Sequence, residues 1–115
     1  VEPEKVALNP LDEELLKKAI AIVEKHMDNV EFSTEIFARE MCMSRSNLHI
    51  KMKALTGESA NDFIRKMRFN QACKLLKEGK YTVSEISGMV GFNTPSYFAT
   101  SFKKYFGCLP SEYGK

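Results

Sequence analysis

Two stretches of this chain carry the same punctuation of helix caps, small residues and breakers. Ser33, Phe37, Ala38, Cys42 and Met43 return as Thr82, Ile86, Ser87, Gly91 and Phe92, each 49 positions later. Leu48, Met52, Lys53 and Gly57 return as Phe98, Phe102, Lys103 and Gly107, each 50 later. Two copies make a duplicated unit, since a stacked solenoid needs three or more repeats. At 115 residues, the chain has room for little else.

Each copy reads as a short helix, a tight turn and a second helix. Ser33 and Thr82 suit N-caps, and Glu85 stands at the capping-box position. Phe32 with Phe37, and Tyr81 with Ile86, hold hydrophobic-staple positions. Ser44 and Thr94-Pro95 open the second helices, which Gly57 and Gly107 close. A small residue, Ala38 or Ser87, lies four before the turn residue, Cys42 or Gly91. Helices that cross steeply need a small contact residue and a φ-tolerant turn, so this is helix-turn-helix grammar. Cys42 suits a positive φ less well than Gly91, and the first turn is expected to be the less ideal.

The rest of the chain is helical by the same reading. Leu15, Leu16, Ala19, Ile20, Val23 and Met27 give a helix over 11–28 its apolar stripe, after Asn9-Pro10 and an acidic first turn. Ser59 opens a long helix that Gly79 ends. Leu48, Met52 and Leu55 line one second helix; Phe98, Phe102 and Tyr105 line the other. No apolar alternation is long enough for a sheet, so the fold class is all-α.

These motifs resemble the DNA-binding domain of the AraC/XylS family over about residues 12–114. The C-terminal part is similar through Thr82–Ser87, Val90-Gly91-Phe92, Pro95–Phe98, Phe102–Gly107 and Pro110–Tyr113. Met43–Leu48 with Lys53 and Thr56-Gly57 resembles its first helix-turn-helix, and Arg68, Ala72, Leu75 and Leu76 its linker helix. The chain is most similar to output domains of response regulators and hybrid two-component regulators. The resemblance implies a bacterial transcription factor with seven helices: two helix-turn-helix subdomains, at about 33–57 and 82–107, joined by a linker helix at about 59–78. It also implies double-stranded DNA and RNA polymerase as partners, with a sensor, receiver or dimerisation region upstream. Residues 1–10 read as a linker to that region.

The formal charge of +2 conceals a division. Residues 1–30 hold four Lys and seven Asp or Glu, whereas 44–80 hold nine basic and three acidic residues. Basic charge therefore gathers on the first reading helix and the linker helix, where phosphate would be neutralised.

In a helix-turn-helix the second helix enters the major groove. Away from its apolar stripe the first copy presents Arg45, Ser46, His49, Ile50 and Lys53. Arg45 suits a bidentate contact to guanine, Ser46 and His49 adaptable hydrogen bonds, and Lys53 phosphate. Ile50 replaces a common family Arg; it meets a thymine methyl or packs internally. The second copy presents Asn93, Thr94, Ser96, Ala99, Thr100 and Lys103, with Thr100 again replacing a common Arg. Its readout is expected to lean on phosphate and helix N-terminal amides. A linker helix of 20 residues is about 30 Å long, near the 34 Å or so between successive major grooves on one face of DNA. The rival reading is a helical protein-interaction module with the same fold, favoured by Ile50 and Thr100.

Other features point away from chemistry. The chain shows no phosphate loop, nucleophile elbow or metal-ligand cluster, so neither enzyme activity nor a cofactor is expected. Its six methionines suit core filling. Cys42 is expected to be buried at its turn, His26 to lie at a surface or helix end, and Arg68 to pair with an acid or a phosphate. Three scattered cysteines give no disulfide framework. With neither a leader-like start nor a spanning apolar run, the reading is a cytoplasmic domain without membrane contact.

Overall fold

The computed structural model describes residues 9–113. Of the proposed linker only Asn9 and Pro10 fall within them; residues 1–8 lie outside. Asn9 caps the first helix, its Oδ1 accepting from the Asp12 amide at 2.8 Å. Six α-helices follow in order: α1 (Pro10–Lys25), α2 (Thr34–Glu40), α3 (Arg45–Thr56), α4 (Ala60–Glu78), α5 (Val83–Met89) and α6 (Pro95–Phe106). A 3-10 turn, Pro110–Glu112, comes last among the described residues. The described residues contain no strand, and the fold is all-α. Seven helices were implied; the seventh element is only this turn.

The described residues form two compact units. One takes the residues up to Lys25 with Phe32–Arg65; the other takes His26–Glu31 with the residues from Lys66 onward. In the first, Phe37 is fully buried, with ring centroids 5.9 Å from Phe32 and 6.3 Å from Phe63. That contact forms the staple predicted at the head of α2. Ala19, Ile22 and Val23 of α1 and Leu48 and Met52 of α3 are buried with them. Ile22 was not in the predicted stripe. Leu15, Leu16 and Ile20 are half-buried, and α1 ends at Lys25, three residues early.

Aromatic rings dominate the second core. Phe69, Phe98 and Phe102 are fully buried beside Ile86 and Val90. Phe69 meets Phe102 edge-on at 6.0 Å, and Phe92 meets Phe98 at 5.1 Å, separations at which aromatic pairs attract. Tyr105 lies at the margin of its stripe, 4.8 Å from Phe69 yet 47% exposed. Met41 and Met52 are buried and the other four methionines half-buried, as gap-filling residues should be. Half-buried His26 directly follows α1.

Two expectations are corrected. Cys42 is exposed, because its left-handed backbone turns the side chain outward from the helix pair. Arg68 pairs with no acid among the described residues, and at 8% exposed it is turned inward, donating to two backbone carbonyls, of Gly91 and Asn29.

Candidate nucleic-acid interface

The two turns are the same device built twice. After α2, the Met43 amide donates to Ala38 O at 2.9 Å and the Cys42 amide to Arg39 O at 3.0 Å. After α5, Phe92 donates to Ser87 O at 2.9 Å and Gly91 to Gly88 O at 3.1 Å. These are the paired bonds of a Schellman ending, which needs a left-handed residue just past the cap. Gly91 takes φ +80°, and Cys42 takes φ +62°, the only positive φ outside glycine among the described residues. The small residues work as predicted: Ala38 and Ser87 are each 2% exposed. Ser87 satisfies its hydroxyl by donating to Ser84 O at 2.8 Å.

The second helices start alike. Ser44 Oγ accepts from the Asn47 amide, and Thr94 Oγ1 from the Tyr97 amide, both at 3.1 Å. One extra residue, Asn93, separates turn from cap in the second copy, which accounts for the change from 49 to 50. Both helices end on a left-handed glycine, Gly57 at φ 78° and Gly107 at φ 85°. Caps, turns and stops thus fix where each second helix begins, and Leu48 and Met52, or Phe98 and Phe102, fix which face turns inward.

All ten predicted reading residues are exposed. On α3 and its start these are Arg45, Ser46, His49, Ile50 and Lys53; around α6 they are Asn93, Thr94, Ser96, Thr100 and Lys103. Ile50 is 64% exposed, so of its two readings internal packing fails. A groove of about 650 Å³ runs beside α3 and brings together Arg45, Ser46, His49 and Ile50 over Leu48 and Ala60. Lys53 does not line it. Among the described residues Arg45, Lys53 and Lys103 form no ion pair, so their charge is available to a polyanion. The Thr94 hydroxyl is already engaged as a cap, which leaves it less free than the others. Basic charge is also reduced by one in the linker helix, because Arg68 is buried.

The two faces differ in chemistry. With the 50-residue displacement, Arg45 and His49 correspond to Pro95 and Ala99, and Ile50 to Thr100. Guanidinium and imidazole are therefore confined to α3, and the cations of α6 are lysines, Lys103 and Lys104. One exposed residue was not singled out by spacing: Tyr97, 60% exposed at the third position of α6, with its ring 5.7 Å from Phe92. Its place opposite Asn47 in the repeat is the signal that would have found it.

A helix-turn-helix domain model matches residues 37–115. The chain belongs to the AraC-type helix-turn-helix family. A protein named histidine kinase P4 from Formosa agariphila is 41% identical over 113 residues, covering 98% of this chain but 8% of its own length. The chain spans under a third of the next regulators it matches. The C-terminal domain of the two-component response regulator yesN from Fusobacterium nucleatum superposes with TM-score 0.82 at 26% identity, covering 89% of this chain and 99% of that one. The DNA-binding domain of AdpA, solved in complex with a target DNA, gives TM-score 0.78 at 28% identity, covering 87% and 88%. Family membership thus agrees with the doubled turn found from the residues.

Proposed function

We propose that this domain binds double-stranded DNA sequence-specifically through α3 and α6, and so regulates transcription as the output part of a longer regulator. The observation that carries this is the exposure of all ten candidate residues at the two helices that the repeated turns present. Major-groove reading needs a rigid helix whose first turns bear free donors. Arg45 takes a guanine edge, Ser46 and His49 hydrogen-bond neighbouring bases, and Ile50 lies against a thymine methyl. Lys53 and Lys103 neutralise phosphate. The α6 face, without Arg, contributes backbone grip and modest preference through Asn93, Ser96 and Thr100. The α4 helix contributes residues to both units and is 19 residues long, about 28 Å; we assign the two reading helices to successive major grooves of one duplex.

The names of the Formosa and Fusobacterium relatives support a two-component setting. There a receiver or sensor region of the same regulator is the upstream partner, RNA polymerase the downstream one, and the cytoplasm the site of action. The activity is binding, without a catalytic step.

Selection of bound duplexes from a random pool, followed by titration of the winner across salt concentrations, tests the reading. Expected is one recurrent sequence whose affinity falls steeply with salt, each neutralised phosphate adding about −0.9 to the logarithmic slope. Recovery of no sequence would favour the protein-interaction module instead.

A further inference from the structure

Arg68 is the only charged side chain buried among the described residues, and the reading of DNA gives it no task. Its Nη1 donates to the Gly91 carbonyl at 2.6 Å and its Nη2 to the Asn29 carbonyl at 2.9 Å. Nε is buried without a partner, and no carboxylate among the described residues pairs with the guanidinium. Burial without a counter-ion disfavours the charged form and pushes its pKa down. The cation is tolerated because both acceptors are carbonyls, and the one at Gly91 lies just beyond the negative end of α5.

An apolar side chain of similar length would fill the same space without desolvating a charge. What it could not do is hold two carbonyls at once. One carbonyl belongs to the turn that leads into α6; the other belongs to the segment His26–Glu31, which clusters with the same unit. The fit is closed from the opposite side as well. A Cβ on Gly91 would overlap the Arg68 guanidinium and come within 2.6 Å of the Met27 carbonyl. The first turn has nothing comparable: Cys42 is exposed, and no buried charge stands on it.

We propose that Arg68 is a positioning residue for the second reading helix, fixing the Gly91 turn and with it the direction of the first turn of α6. The proposal rests on the DNA-binding reading above. It explains how a face without Arg contributes: rigid aim substitutes for strong individual contacts, since groups held in place lose less freedom on binding.

The test uses the 115-residue chain with Arg68→Met and Arg68→Lys, at a temperature where circular dichroism shows each variant folded. Without DNA, Arg68→Met is expected to shift amide resonances across Gly91–Tyr97 and leave those of α3 in place; unmoved resonances there overturn the proposal. On the selected duplex Arg68→Met weakens affinity about tenfold, and adding Lys103→Ala then costs little more. Simple multiplication of the two losses overturns it. Arg68→Lys, which keeps the charge but reaches one carbonyl, falls between. Should Arg68→Met fail to fold, Arg68→Lys decides by the same resonances: a shift across Gly91–Tyr97 with α3 in place is expected, and unmoved resonances there overturn the proposal. If the wild-type chain selects no duplex, the DNA-binding reading fails and the amide resonances alone judge Arg68.

Discussion

Cys42 occupies a backbone conformation that glycine fills in the matching turn. An L-residue in the left-handed region costs about 1–2 kcal/mol, part of which is regained because glycine is freer in the unfolded chain. Cys42→Gly is therefore expected to stabilise by about 0.5–1 kcal/mol, seen as a higher thermal midpoint. A lower midpoint would mean that the thiol makes a contact worth more than the strain. On α3, Arg45→Ala should cost about 1–3 kcal/mol of binding and relax preference at one base pair. Lys53→Ala should weaken all sequences alike and reduce the salt slope by about one. Selection experiments with both variants separate the two; uniform loss with Arg45→Ala would demote it to a phosphate contact. The exposure of these side chains followed from spacing alone, because Leu48 and Met52 fix the inward face. The exposure of Cys42 did not, because composition favours burying a cysteine while backbone geometry turned it out.

Among the elements, boundaries were most legible where a cap or a glycine marks them. In α5, Glu85 N donates to Thr82 Oγ1 at 3.1 Å and Thr82 N donates to Glu85 Oε1 at 2.8 Å. In α2, Ser33 accepts a single longer bond of 3.4 Å from the Ile36 amide. Thr82→Ala should then destabilise by about 1 kcal/mol, and Ser33→Ala by less, as denaturant melts will show. Equal losses would indicate that the longer bond tightens in solution. A boundary without such a mark falls elsewhere than the spacing predicts. The apolar spacing of α1 runs on to Met27, yet the helix ends at Lys25, and in the segment that follows the Asn29 carbonyl accepts from Arg68. No local signal announces a partner 39 positions away. In α4 the buried residues change face along the helix, Ala60, Phe63 and Ile64 serving one core and Phe69, Ala72 and Leu75 the other. A single stripe could not be read there because there are two.

For the whole molecule, the duplication predicts that both copies act on one DNA. Lys103→Ala, like Lys53→Ala, should lower the salt slope by about one, and a footprint should extend beyond a single half-turn. Protection confined to one half-turn, or a slope unchanged by Lys103→Ala, would leave α6 outside the complex. The net charge of +2 is unevenly spread along the chain, and one of the basic residues between 44 and 80, Arg68, is buried away from DNA. The doubled helix-turn-helix, its caps and its two exposed faces were set by the sequence, because helix starts, stops and inward faces depend on residues a few positions apart. The destination of Arg68 and the early end of α1 belong to the tertiary structure, and the outward turn of Cys42 to its left-handed backbone. Each depends on distant groups competing for one space, or on a backbone angle that no neighbouring residue type imposes.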